Sequence, residues 1–283
     1  MQFEVEQTIM TQTQWVDEHT EAAQTQWNRN PCGSGSYLDG LEYGSLAYFD
    51  EVRRSRYEVT DQWMKKVIDF EMARGKRLLE VGYGMGSDLL TFAEAGAEVY
   101  GIDITEEHYR LASRNFALHN RHAHLKLCTC ADIDFPSSYF DVVYSNGVLH
   151  HTPYTVRCIS EIYRVLKPGG RLVFSLYYTY SALHLFSVLL YRGLLRGQLR
   201  RLGYAGLLST VEYGADGVNV KPLVKTYTKR QVATMLADFS HVEFTVAHFK
   251  RDHLPKVGKW LPAWIERPLE PRLGWYLVTT AVK

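Results

Sequence analysis

The sequence predicts an α/β fold built around a mostly parallel sheet. From residue 76 onward, short apolar segments alternate with amphipathic ones, and several apolar segments are apolar at nearly every position rather than at every second one. A strand buried on both faces reads in that continuous way, and the helices joining parallel strands supply the cover. A third sign is the stretch LLEVGYGMGSDLL at 78–90, where three glycines in five residues separate a strand-like segment from a helix-like one.

Residues 1–30 are polar and rich in Gln and Thr, with Trp15 and Trp27 as anchors and a helix expected over about 16–27. After the loop NPCGSGSYLDG, residues 46–71 contain no Gly or Pro and place Phe49, Val52, Tyr57, Trp63 and Val67 at roughly helical spacing, which predicts one long helix entering the core. RLLEVG then reads as a strand and SDLLTFAEA as a helix closed by Gly96. AEVYGIDI is the next strand, and its helix opens at Thr105 with Glu106 and Glu107 in the first turn, where carboxylates favour the helix dipole. HLKLCTC and FDVVYSNG are strands, TVRCISEIYRVL is a helix ended by KPGG, and RLVFSLYY is a further strand. The last third changes rhythm: a helical segment at 181–202 and a Gly-rich stretch lead to TKRQ at 228–231, whose spacing fits a capping box for a helix reaching about 238. HVEFTVAHF and GWYLVTTAV close the chain as strands around LPKVGKWLPAWIERPLEP.

Composition removes several classes. The 283 residues are 46% hydrophobic and 22% charged with a net charge of +1, so no overall field attracts a polyanion and nucleic acid is not an expected partner. The N-terminus has no positively charged segment leading into an apolar run, so no signal peptide is expected and the protein is placed in the cytoplasm. Cys32, Cys128, Cys130 and Cys158 form no disulfide framework, and Cys128-Thr-Cys130 lacks the second pair of a zinc site, so they read as buried or bystander thiols and no metal is expected. The apolar stretch ALHLFSVLLY falls short of the roughly 20 residues that span a bilayer.

A loop that leaves a parallel strand and opens a helix presents backbone N–H groups and the positive end of the helix dipole at the carboxyl edge of the sheet. The dinucleotide fingerprint G-x-G-x-x-G asks for glycine at 87, where Ser87 stands; the third glycine comes one residue early, as Gly86. Asp103 ends the second strand, where a carboxylate accepts hydrogen bonds from both hydroxyls of a ribose, a geometry shared by more than one nucleoside cofactor. Taken together, EVGYGMG, YGIDIT, FDVVYSNGVLHHTP and LKPGGRLVFS resemble, in order and spacing, the successive motifs of class I S-adenosylmethionine-dependent methyltransferases over residues 78–177. The look is nearest to the broad group of ubiquinone, menaquinone and natural-product methyltransferases, which carry the same L-H-H after the fourth strand.

The resemblance implies a Rossmann-like, seven-stranded, mostly parallel sheet with the last strand antiparallel, N-terminal helices, and a helical lid inserted after the fifth strand. On that plan, 1–74 is an N-terminal extension covering the site and 75–180 the cofactor-binding core. Residues 181–227 form a lid that sets acceptor specificity, and 228–283 supply the final helix and two closing strands. The implied cofactor is S-adenosyl-L-methionine, with Gly82, Gly84 and Gly86 lining its methionine part, Glu80 organising its ammonium, Asp103 holding the ribose and Ile104 flanking the adenine. Asn146 would meet the ammonium as well. Members usually carry Asp-Ala after the third strand for the adenine amino group; here the segment is CTCADIDFP, so Asp132 with Ala131 takes that place, with Asp134 as rival.

Methyl transfer from a sulfonium is an in-line displacement, so positioning and exclusion of water do most of the work, and a base matters only where the acceptor must lose a proton. His150 and His151, just past the fourth strand, are the candidate base or acceptor-binding groups; the alternative is an imidazole packed on the sheet. Tyr57 is a cofactor contact or a core aromatic, and Tyr83 in the glycine loop is a candidate roof over the acceptor. Between 192 and 230 eight Lys and Arg face only Glu212 and Asp216, with Arg192, Arg196 and Arg200 at four-residue intervals. Arg192 and Arg196 are therefore expected to recruit an anionic small-molecule or peptide acceptor; contact of the 181–202 helix with a membrane surface and a solubilising role are the alternatives. The function expected is methyl transfer to a small or medium-sized organic acceptor. A NAD(P)-dependent oxidoreductase and a non-catalytic S-adenosylmethionine-binding partner subunit are the rival readings, and oligomeric state is not legible.

Overall fold

The computed structural model describes Trp15, residues 17–212 and residues 222–283. Its sheet runs in the order β3-β2-β1-β4-β5-β8-β7, with β6 beside β5. The parallel part comprises β1 (Arg77–Val81), β2 (Glu98–Asp103), β3 (His124–Leu127), β4 (Phe140–Asn146) and β5 (Leu166–Tyr178). A two-residue strand, β6 (Thr226–Tyr227), lies parallel to β5. β8 (Tyr276–Val282) is antiparallel both to β5 and to β7 (Ser240–Ala247). The expected mostly parallel sheet with an antiparallel last strand is present, and β6 is the addition that brings the strands to eight among the described residues.

Strand periodicity divides the core into two layers. Leu78 packs with Leu89, Phe92 and Tyr144 on one face of the sheet, whereas Leu79 and Val81 pack with Ile159, Ile162 and Leu236 on the other. Neighbouring side chains of β1 thus point into opposite layers, and both layers are apolar, which is why the strand reads as continuously hydrophobic. The chain order reverses between β1 and β4, so the carboxyl ends of those strands splay their following loops apart and open a crevice.

The helices follow the sequence less closely. α1 (Glu18–Arg29) starts where the Asp17 carboxylate accepts from the Thr20 N–H, inside the expected range. The single helix expected over 46–71 is broken. α2 (Leu46–Ser55) is capped by Ser45, passes into a wide π-type turn at Arg56–Thr60, and stops at Asp61, whose N–H reaches back to the Arg56 carbonyl at 2.7 Å. α3 (Met64–Val67) and a 3-10 turn at Phe70–Ala73 complete the segment. The break has a tertiary cause: Arg56 and Tyr57 both turn inward to bond Asp88, and that outweighs continued helical periodicity.

α4 (Ser87–Glu94), α5 (Glu106–Leu118) and α6 (Thr155–Val165) cover the sheet at their expected positions. β5 begins earlier than expected, at Leu166, because Lys167 to Gly170 form an irregularity between two paired stretches rather than a clean break. The segment 181–202 holds α7 (Leu183–Leu195) with π-type turns and the start of α8 (Gln198–Ser209), joined at Gly197 with φ +67°, and α8 is itself kinked at the non-helical Gly203. Thr228 and Gln231 do form the reciprocal capping box of α9 (Lys229–Met235), which ends short of 238. Between β7 and β8 come three 3-10 turns and α10 (Glu266–Leu273). Residues 1–14, Val16 and 213–221, the last including part of the expected lid and Asp216, lie outside the described residues.

Candidate active site

The glycine turn is built by conformation and by space. Gly82 has φ +77°, and a Cβ there would stand 2.2 Å from Val148 Cγ2, so a side chain is excluded twice over. Gly84, also at positive φ, donates its N–H to Asp103 Oδ2 at 3.0 Å and so ties the turn to the end of β2. Asp103 Oδ1 accepts from the Thr105 N–H at 2.9 Å, and its Oδ2 lies 3.2 Å from His108 Nδ1. The Cys32 N–H donates to His108 Nε2 at 3.2 Å, which leaves the ring proton of the neutral imidazole on Nδ1, facing Asp103. Burial alone would raise the Asp103 carboxyl, but His108 and the two backbone donors overcome it and hold the group below the usual carboxylate range.

Glu80, one strand away, is the opposite case. It is buried, and its Oε2 has no hydrogen-bond partner among the described residues. Burial pushes its carboxyl well up, the nearby Asp88 adds to this, and Arg56 opposes it. A buried carboxylate oxygen without a donor is costly unless something else supplies one. Asp88, in the first turn of α4, has donors in full: Arg56 Nε and Nη2 at 2.8 and 2.7 Å, the Tyr57 hydroxyl at 2.7 Å and the Tyr144 hydroxyl at 3.0 Å. Its burial is more than offset by Arg56 and these bonds, and its carboxyl is held low.

Beyond β4, the Asn146 Oδ1 accepts a short hydrogen bond from the Ser175 hydroxyl, which in turn accepts from the Gly147 N–H at 3.2 Å. His151 Nδ1 lies 2.8 Å from the Leu223 carbonyl and donates to it, which leaves Nε2 as the free ring nitrogen, 4.0 Å from Glu212 Oε1. The Tyr177 hydroxyl donates a short bond to the same Glu212 oxygen, and Trp27 meets the His151 ring edge-on at 6.0 Å. Glu80, Asp88, Asp103, Asn146, His151 and Glu212 line one cavity of about 440 Å³.

Of the residues singled out from sequence, Glu80, Gly82, Tyr83, Gly84, Asp103, Ile104, Asn146 and His151 line this cavity. Others do not. Gly86 stands behind the turn against Phe116, and Tyr57 spends its hydroxyl on Asp88. Ala131 and Asp132 are off the wall, where Thr129 and Cys130 stand instead, and Asp134 pairs with Lys126 at 2.7 Å on the surface. His150 is fully buried against Tyr177, with neither ring nitrogen partnered among the described residues; burial pushes its imidazole well below its ordinary range. Arg192 donates to the Thr210 carbonyl and hydroxyl at 3.3 and 3.1 Å, and Arg196 lies over the Tyr191 ring, so neither reaches the cavity. Sequence reasoning missed Arg56, Asp88, His108 and Glu212. Only Asp88 had a local sign, its place in the first turn of a helix that leaves a glycine loop.

Residues 79–174 match the family model described as a methyltransferase domain. The chain is 30% identical over 105 residues to the sterol 4-C-methyltransferase strm-1 of Caenorhabditis elegans, covering 36% of this chain and 31% of that protein. It is 36% identical over 99 residues to the demethylmenaquinone methyltransferase of Tropheryma whipplei, covering 35% and 41% respectively. Against phosphoethanolamine N-methyltransferase 2 of Caenorhabditis elegans the identity is 26% over 155 residues, 54% of this chain and 33% of the other. The chain thus spans between about a third and two fifths of these relatives. In fold it is similar to a SAM-dependent methyltransferase from Archaeoglobus fulgidus, with TM-score 0.54 at 18% identity over 86% of this chain and 100% of that one. A second such enzyme, from Methanosarcina mazei, gives 0.52 at 19% identity over 78% and 96%. With the strand order, the glycine turn and Asp103 in place, residues 79–174 match a methyltransferase domain on a fold shared with S-adenosylmethionine-dependent methyltransferases.

Proposed function

We propose that this protein is an S-adenosylmethionine-dependent methyltransferase that acts on a small or medium-sized organic acceptor. The observation that carries the reading is the unpartnered buried oxygen of Glu80 beside the glycine turn. An ammonium group there completes the carboxylate's hydrogen bonding and removes the penalty of burying it. Glu80 and Asn146 would hold the cofactor's ammonium, the turn at Gly82 and Gly84 would lie against its methionine part, and Asp103 would take the ribose, with Ile104 at the adenine. Thr129 and Cys130 replace Ala131 and Asp132 as the adenine wall. The bound group supplies an electrophilic methyl on a sulfonium. A nicotinamide reading is weaker, because Ser87 stands where the dinucleotide fingerprint needs its third glycine.

His151 and Glu212 are the groups proposed to take the acceptor's proton. The Leu223 carbonyl fixes the Nδ1 proton, which leaves Nε2 free to accept a second one, and Glu212 at 4.0 Å stabilises the imidazolium formed. His150, buried and away from the cavity, is not assigned this role. Asp61 and Glu212 also line the cavity, while Arg56, the one arginine on its wall among the described residues, is committed to Asp88. Those charges favour a neutral or cationic acceptor, an amine that gives up its proton before attack or a hydroxyl, over the anionic acceptor that Arg192 and Arg196 suggested. The relatives are named for a sterol, phosphoethanolamine and demethylmenaquinone, so similarity does not choose among acceptors. On this reading the 1–74 extension closes the site with Trp27, Cys32 and Arg56, and the 181–227 lid contributes Glu212.

The test is isotope-labelled S-adenosylmethionine incubated with protein and a metabolite extract, followed by mass spectrometry. A labelled methyl gain with the wild-type protein, lost in His151→Gln, supports the reading; no labelled product in any fraction counts against it.

A further inference from the structure

The described surface holds a feature that methyl transfer does not use. On α7, Phe186, Leu190 and Leu194 recur every four residues and are all exposed, Leu194 at 64%, with Leu195 beside them at 70%. The turns between β7 and α10 present Trp260 and Trp264, 79% and 72% exposed. These two elements are neighbours: Lys256 Nζ and the Arg196 guanidinium each lie 5.4 Å from the centre of the same ring, Tyr191. The turns are also braced. A Cβ on Gly258 would stand 1.7 Å from the Arg251 carbonyl oxygen, and Arg251 donates to the Leu261 carbonyl at 2.6 Å and to Glu266 at 3.0 Å. A built scaffold therefore holds two indoles and a leucine stripe in water, an arrangement that monomeric soluble proteins rarely keep without a partner.

The charge around this face is one-sided. Segments 183–204 and 250–264 together carry eight of the chain's 32 Lys and Arg but only one of its 31 acids, Asp252. An isologous contact with a second copy would set these cations against one another. An anionic bilayer surface answers both halves of the pattern, since indoles settle at headgroup depth while Lys and Arg meet the lipid phosphates. No helix among the described residues is long and apolar enough to cross a membrane. We infer that the outer stripe of α7 and the 256–264 turns form a docking surface for the face of an anionic membrane. The same α7–α8 hairpin runs on to Glu212 in the cavity wall.

Sedimentation of the full chain with vesicles tests this, comparing phosphatidylcholine alone with phosphatidylcholine containing phosphatidylserine. The protein is expected to sediment with the anionic vesicles only. Lys256→Glu with Lys259→Glu should weaken that partition by about five-fold or more per residue. Trp260→Ala with Trp264→Ala should weaken it by more than about ten-fold. Both doubles alter exposed side chains, and each should keep the wild-type circular dichroism and melting temperature. Two outcomes overturn the inference. One is absence of wild-type binding to anionic vesicles, or binding indifferent to phosphatidylserine. The other is a wild-type dimer by light scattering that the tryptophan double dissociates, which would make a second copy the occupant of the face.

Discussion

Replacing Asp88 by asparagine removes the charge from the most fully partnered carboxylate at the site while nearly keeping its shape. Arg56 donates to both of its oxygens, and Tyr57 and Tyr144 add two further bonds. Losing one partner of a buried ion pair costs about 3–5 kcal/mol, because the remaining charge stays desolvated. Here the Arg56 side chain keeps 23% exposure and the Tyr57 hydroxyl keeps Thr91 at 3.2 Å, so the loss belongs at the lower end, about 3 kcal/mol. The first-turn position of Asp88 on α4 adds about 0.3–1 kcal/mol through the helix dipole. Urea unfolding of Asp88→Asn at pH 7 is therefore expected to show a stability lower by about 3–4 kcal/mol. The pH dependence has a definite sign. A carboxyl held low in the folded protein stabilises above its unfolded value and loses that contribution as pH falls through the folded one, so the gap between wild type and variant should narrow below about pH 4. A loss under about 1 kcal/mol at pH 7, the range of an exposed ion pair, would refute a desolvated pair at this position.

Four further substitutions separate the turn, the buried imidazole and the cavity wall. Gly82→Ala meets both left-handed strain and the Val148 side chain, with Val148 Cβ itself at 3.1 Å, and should lose about 2–5 kcal/mol in chemical denaturation. Gly84→Ala, with nothing nearer than Cys32 Cβ at 3.9 Å, should lose only the strain, about 1–2 kcal/mol. His150→Leu removes two unpartnered nitrogens and should be close to neutral at pH 8 in denaturation while keeping methyl transfer. Its imidazole is held well below the ordinary value, so the unfolded chain takes up the proton first. Wild-type stability should then fall below about pH 6.5 by up to about 1.4 kcal/mol per pH unit from this group, and the variant should lack that part of the slope. Glu212→Gln should lower methyl transfer by about 10²-fold or more with little change in S-adenosylmethionine affinity by calorimetry.

The core was legible because its signals are local. Continuous apolar strands, the Gly82–Gly84 turn, Asp103 at a strand end and the Thr228–Gln231 capping box each declare themselves within a few residues. What failed is what depends on distant partners. Helical spacing over 46–71 says nothing of Asp88, 32 residues beyond Arg56, yet that pairing turns the chain at Asp61 and breaks the helix. His108 bonds the backbone of Cys32, 76 residues away, and so fixes the tautomer that faces Asp103. The arginine stripe misled for a related reason: its spacing is helical and real, but periodicity gives a face without saying what that face meets. Of the paired histidines, neighbours in sequence, one is packed under Tyr177 and the other lines the cavity, a difference that residue type alone does not encode.

The most direct measurement is calorimetric titration of the wild-type protein and of Glu80→Gln with S-adenosylmethionine, alongside NAD. The unpartnered Glu80 Oε2 is the acceptor proposed for the cofactor's ammonium, so removing the carboxylate should weaken S-adenosylmethionine binding directly. Wild-type binding of S-adenosylmethionine, no heat with NAD, and an affinity about 10- to 100-fold weaker in Glu80→Gln are expected. Absence of S-adenosylmethionine binding by the folded wild-type protein, or heat with NAD in its place, would contradict the assignment.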